Sequence, residues 1–189
     1  MKASLHLQGG EVEILSSEMG LVHIYTGNGK GKTTAALGLA VRATGRGKKV
    51  LMVQFMKSPG VYGEWNTAKI MPGFEIRATG MNCLINADKP EPEDINAAQE
   101  ALKMAAEEMA SGRYDLVILD EVNVAIKWGL ITTKQVLEAV QNRKEGVEVV
   151  MTGRYAPKEL REIADYITEM RCIRHPYEKG VLARNGVER

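Results

Sequence analysis

The stretch Thr26-Gly27-Asn28-Gly29-Lys30-Gly31-Lys32-Thr33-Thr34 constrains this chain more than any other. It follows a strand-like run, Leu21 to Tyr25, and opens an Ala/Leu-rich helical pattern that reaches Val41. Strand, glycine-rich turn and helix in that order are the setting a phosphate-binding P-loop requires. Glycines let consecutive backbone N–H groups turn inward on an anion, and the helix start adds partial positive charge. In this reading Lys32 reaches the outer phosphates and the Thr33 hydroxyl ligates magnesium. One position departs from the strict pattern G-x-x-x-x-G-K-[ST]: Thr26 stands where the first glycine belongs, and glycine comes one residue later. The bland alternative is a glycine-rich turn with two surface lysines. The flanking strand and helix favour the phosphate cradle.

Beyond the P-loop, strands and helices alternate. Val50 to Phe55 is a continuous apolar run, as expected of a strand buried on both faces. A polar loop, Lys57 to Trp65, follows at the strand's C-terminal end, where ligands bind in open parallel sheets. Phe74 to Ala78 reads as a short strand and 81–91 as a loop. Pro92, Glu93 and Asp94 start a helix, whose apolar face is Ile95, Ala98, Leu102, Ala105 and Met109. Leu116 to Leu119 is a buried strand ending in Asp120 and Glu121, the Walker B arrangement that puts charge beside a P-loop magnesium. A helix from Thr132 to Arg143, a strand at 147–151, a short helix after Pro157 and a strand at 166–170 complete the alternation. This order means an α/β fold with a mostly parallel sheet and right-handed crossovers. Residues 21–189 are expected to form one domain behind an N-terminal arm, 1–20, which reads equally as a frayed arm or a β-hairpin. The basic tail from Arg174 onward is expected to fold over an edge.

Composition narrows the function. A formal net charge of +1 leaves no global field to draw the protein to nucleic acid or an anionic membrane. Two cysteines, Cys83 and Cys172, imply no disulfide framework. Neither a leader nor an apolar run long enough for a membrane span is evident, so a cytoplasmic protein is expected. The basic residues Arg42, Arg46, Lys48 and Lys49 read as a solvated helix end, and His175 has no second ligand nearby to suggest a metal site. From these residues alone comes a magnesium-dependent binder of a nucleoside triphosphate, with its reaction open.

Several motifs then resemble those of the ATP:corrinoid adenosyltransferases, over roughly residues 21–188. They are TGNGKGKTT at the P-loop, VQFMK at 53–57, ILDEVNVAIKWG at 118–129, TGR at 152–154, the following PKELREIADYITEMR, and HPYEKGVLARNGVE at the end. Thr26 in place of the first Walker glycine is part of this resemblance. What it implies is a three-layer, RecA-like P-loop NTPase fold with helices on both faces of the sheet. It also implies attack by Co(I) of a cobalamin or cobinamide-type corrinoid on C5′ of ATP, with triphosphate as leaving group. The nucleotide would lie reversed, so that Thr26, Gly27, Asn28, Gly29, Lys30, Gly31, Lys32, Thr33, Thr34 and Arg154 hold it. Lys32, Thr33 and Glu121 would carry catalysis, with Thr33 and Glu121 on Mg2+ and Asp120 behind them or as alternate ligand. The same resemblance implies a homodimer, an electron-donating reductant such as a flavoprotein, and an N-terminal arm over an active site. One loop departs from the family's pattern: Met81-Asn82-Cys83-Leu84-Ile85 stands where aromatic residues are expected to displace the lower cobalt ligand. Two other classes share the P-loop and acid pair, a small-molecule or nucleoside kinase and a non-catalytic ATP-gated binding module. Product analysis separates all three.

Overall fold

Runs of residues that are apolar on both sides of the chain must be covered on both sides, and this decides the architecture. The structure, a computed structural model, describes residues 4–7, 10–13, 19–80 and 85–188. Two short antiparallel strands, β1 (Ser4–Leu7) and β2 (Gly10–Glu13), pair with each other, so the hairpin alternative holds for the arm. There follow β3 (Val22–Thr26), α1 (Lys32–Thr44), β4 (Val50–Gln54), α2 (Glu64–Ile70) and β5 (Phe74–Ala78). Next come α3 (Pro92–Ser111), β6 (Leu116–Asp120), α4 (Val122–Lys127), α5 (Thr133–Gln141), β7 (Glu148–Thr152), α6 (Lys158–Glu162) and β8 (Tyr166–Glu169). A 3₁₀ turn at Pro176–Lys179 ends the series.

Strands β3 to β8 form one sheet in the order β5-β4-β6-β7-β3-β8, with every pair parallel. Alternation along each strand divides two cores. Leu51, Val53, Val117, Leu119, Val149 and Met151 pack with α3, α4 and α5 on one face. Val50, Met52, Leu116, Ile118 and Val150 pack with Ala36 and Ala40 of α1 on the other. Three layers, helix, sheet, helix, are the result, as the resemblance implied.

The helix ends follow local chemistry. Thr132 caps α5 by accepting from the Gln135 amide at 3.2 Å, and Gly112, left-handed, ends α3. Two helices were not legible. Helix α2 has no fully buried residue and turns only Trp65 and Ala68 toward the core, too few to show a period; it starts within the loop read at Lys57 to Trp65 and runs past its end. Helix α4 carries Val122, Asn123, Val124 and Ala125, all buried, and such a run is indistinguishable by pattern from more of strand β6. What separates them is Glu121 at φ 65, a left-handed residue that stops the strand. Strand β8, by contrast, appears where expected, but at the sheet edge with all four residues exposed.

Among the described residues no helix is long and apolar enough to cross a membrane. The loop Met81 to Leu84, where the sequence departs from the family's aromatics, lies outside the described residues.

Candidate functional site

Parallel strands end on the same side, so their C-terminal residues share one edge. Register brings Gln54 beside Asp120 and Tyr25 beside Thr152, and the P-loop leaves β3 at that same edge. A cleft of ≈ 1080 Å³ opens there, on the scale of a small-molecule site. Asn28 through Thr34, Lys57, Glu64, Glu121 and Arg154 line it, with Glu188 from the tail.

The P-loop has the form an anion needs. Gly27 sits at φ 94, and a Cβ there would lie 2.4 Å from the Met170 carbonyl oxygen, so only glycine fits. Gly31 is left-handed at φ 116 and precedes α1 with no side chain capping the helix, which leaves the first-turn amides for an incoming ligand. Lys32 curls back over the loop and donates to the carbonyls of Gly27 at 2.9 Å and Gly29 at 2.7 Å. Burial lowers its pKa, and the Glu121 carboxylate opposes that shift. The loop's tip is fastened from the residues just after β8: the Gly29 amide donates to the Met170 carbonyl at 2.7 Å, and the Cys172 amide donates to the Asn28 side chain at 3.0 Å. Lys30 donates to the Val187 carbonyl at 3.0 Å. The tail expected to cover an edge thus reaches the phosphate loop.

The two adjacent acids have different environments. Asp120 is 0 % exposed, and its carboxylate is saturated. Oδ1 accepts from the hydroxyls of Thr33 and Thr152, both at 2.8 Å. Oδ2 accepts from the Lys57 ammonium at 2.7 Å, with the Gln54 amide at 3.5 Å. Glu121 takes the left-handed turn that carries it out of the strand's alternation, its amide donating to Thr152 Oγ1 at 2.9 Å. Its carboxylate lines the cleft with no hydrogen bond to it from the described residues. Burial raises its pKa, with the neighbouring Asp120 charge adding to the effect.

Magnesium takes hard oxygen ligands and is content with one or two carboxylates plus substrate phosphates. The Thr33 hydroxyl and the free Glu121 carboxylate supply that donor set, so the residues fit the metal. Among the described residues no cluster of three or more His, Cys, Asp or Glu exists, and none is needed for a metal that shares its shell with phosphates.

Arg154 reaches the cleft through a tight turn, with Gly153 at φ 127 and Tyr155 at φ 65. Every sequence-predicted site residue therefore clusters at one sheet edge. Sequence reasoning missed Gln54, Lys57, Glu64 and Thr152 as working parts. Gln54 and Thr152 had a signal, each being a polar residue at the end of an otherwise apolar strand. Lys57 closed the VQFMK motif and began, with Glu64 further on, a polar loop placed at the ligand-binding edge, but neither was given a role of its own.

The family model for ATP:corrinoid adenosyltransferase BtuR/CobO/CobP matches residues 18–189. Among curated proteins, the corrinoid adenosyltransferase of Escherichia coli (strain K12) is 35 % identical over 172 residues, covering 90 % of this chain and 86 % of that one. That of Pseudomonas aeruginosa is 36 % identical over 174 residues, covering 90 % and 84 %. A corrinoid adenosyltransferase of a Sinorhizobium species is 33 % identical over 178 residues, covering 92 % and 82 %.

Proposed function

The chain belongs to the ATP:corrinoid adenosyltransferase family, and on that premise we propose that its cleft aligns ATP with a reduced corrinoid and holds the triphosphate that leaves. The observation that carries this reading is the meeting of Lys30, Lys32 and Thr33 from the P-loop and the start of α1 with Glu121 after β6 and Arg154 after β7, all lining one cleft. Cobalt in the Co(I) state is the nucleophile, so the chain needs no general base. Its tasks are alignment of C5′ with cobalt, worth up to about 7–11 kcal/mol for a well-oriented pair, and stabilisation of the departing charge. Lys32 would exchange the Gly27 and Gly29 carbonyls for phosphate oxygens, while Lys30, Arg154 and the first amides of α1 face the rest of the chain of phosphates. Thr33 and Glu121 would hold magnesium, which when bound neutralises charge on the triphosphate. Asp120, already saturated, acts by fixing the Thr33 hydroxyl.

On the same reading the enzyme works in the cytoplasm as a homodimer, with residues 21–189 as its one catalytic domain. It receives its electrons from a reductant such as a flavoprotein, and the N-terminal arm covers an active site. Support for these comes from the family resemblance.

Incubation with ATP, Mg2+ and chemically reduced cobalamin tests the reaction. Inorganic triphosphate and a light-sensitive cobalt–carbon bond are the expected products. Release of ADP or orthophosphate with no change in the cobalamin spectrum would replace this reading by phosphoryl transfer or hydrolysis. For the metal, Glu121→Gln keeps the side-chain shape and removes a charged ligand. The Mg2+ concentration needed for half-maximal rate should rise about tenfold or more, one lost charge-assisted contact being about 1.5–3 kcal/mol. An unchanged titration takes Glu121 out of the metal site.

A further inference from the structure

Lys57 is held with more care than a cleft-side lysine requires. Met56, just before it, is left-handed at φ 60. Gly80 packs so closely on this turn that a Cβ would lie 2.6 Å from the Lys57 backbone nitrogen. The Tyr62 ring lies under the ammonium, 4.7 Å from Nζ to its centroid, within cation–π range. The side chain is only 14 % exposed and ends 2.7 Å from Asp120 Oδ2.

The consequence appears in what the cleft presents. Lys57 lines it and Asp120 does not. A bare divalent cation entering from solvent therefore meets Lys57, Lys32, Lys30 and Arg154, with Glu121, Glu64 and Glu188 the only carboxylates among the described lining residues. A cation escorted by a triphosphate meets the same wall as attraction.

We propose that Lys57 is a resident cation that takes the place at Asp120 a metal would otherwise occupy, so that magnesium enters only together with the nucleotide. The proposal rests on the metal assignment above. It makes Lys57 a positioning residue: it acts through Asp120, which in turn aims the Thr33 hydroxyl.

The test uses Mn2+ as a paramagnetic probe on the nucleotide-free protein, read by electron paramagnetic resonance of the free ion. Wild type should bind it weakly. Lys57→Met exposes the Asp120 carboxylate to the cleft, and its Mn2+ affinity should rise at least about tenfold, since unlike charges at contact range interact strongly even at high effective dielectric. Lys57→Arg keeps the charge and should stay at the weak wild-type level. Adding Asp120→Asn to Lys57→Met should abolish the gain. If Lys57→Met is less thermostable than wild type, Mn2+ alone should restore its melting temperature without raising that of wild type. Mn2+ affinity in Lys57→Met equal to wild type, or a lowered melting temperature that Mn2+ leaves unrestored, overturns the proposal. Binding of Mn2+ with ATP to wild type and Glu121→Gln is measured in parallel. Equal affinities there would sink the Glu121 assignment separately, and a gain in Lys57→Met would still stand for Asp120.

Discussion

Lys32→Ala should lower kcat/KM for ATP by about ten- to hundredfold, measured with cobalamin already reduced to Co(I). Lysine here is a charge-assisted donor aimed at a polyanion, and one such contact is worth about 1.5–3 kcal/mol. The Lys32 ammonium is held over the loop by two of its carbonyls, at 2.7 and 2.9 Å, which on the proposed reading is where the phosphates sit. Ordering it on ATP costs little. Removing it deprives the leaving triphosphate of a cation that strengthens its hold as charge develops, so kcat should fall as well as affinity. The fold should survive, because Lys32 joins only neighbouring turns of its own loop. Arginine at this position should rescue poorly, since a planar fork replaces a compact point charge. A kcat/KM within twofold of wild type would remove Lys32 from the phosphate site.

The second large effect is on stability. Asp120→Ala leaves the Lys57 ammonium and the hydroxyls of Thr33 and Thr152 without their shared acceptor. Breaking a buried ion pair from one side costs about 3–5 kcal/mol. For a domain of this size each kcal/mol lowers Tm by about 2–4 °C, so a fall of roughly 6–20 °C is expected by calorimetry. Combining it with Lys57→Met should recover part of the loss, because the stranded charge is then gone and the two sites are in contact. A Tm within about 2 °C of wild type for Asp120→Ala would mean that the pair contributes no net stability. The two measurements also separate roles: Lys32 should move kinetics with little change in Tm, and Asp120 should move both.

Most of the framework was legible in the chain. The apolar runs at 50–53 and 116–119 read as strands covered on both faces, and the helices read between later strands, α3 among them, implied parallel crossovers. The P-loop announced its own place, because glycines before a helix start have few other uses. Helix α3 was readable from Pro92 to Gly112, where periodicity and both ends agreed. Less legible were elements that owe their form to neighbours. Only Trp65 and Ala68 mark the inner face of α2, and α4 reads as strand until the positive φ of Glu121 interrupts it.

The roles of the two acids show where sequence reading stops. Adjacent in the chain, Asp120 and Glu121 are chemically near-equivalent as letters, and either could have been the metal ligand. Tertiary structure distinguishes them. Strand pairing sets Gln54 beside Asp120, strand β7 supplies Thr152, and the turn at Met56 delivers Lys57, so that one carboxylate is consumed inside the protein. The left-handed turn leaves the other facing the cleft. By itself the sequence determined that a glycine-rich P-loop motif and an acid pair stand at the same edge of a parallel sheet, since local patterns of glycine, apolar run and helix start are properties of contiguous residues. Which acid remains free, and that a lysine is held against its partner, depends on contacts between residues far apart in the chain. Only their packing sets those distances, and with them the charge each group presents to the cleft.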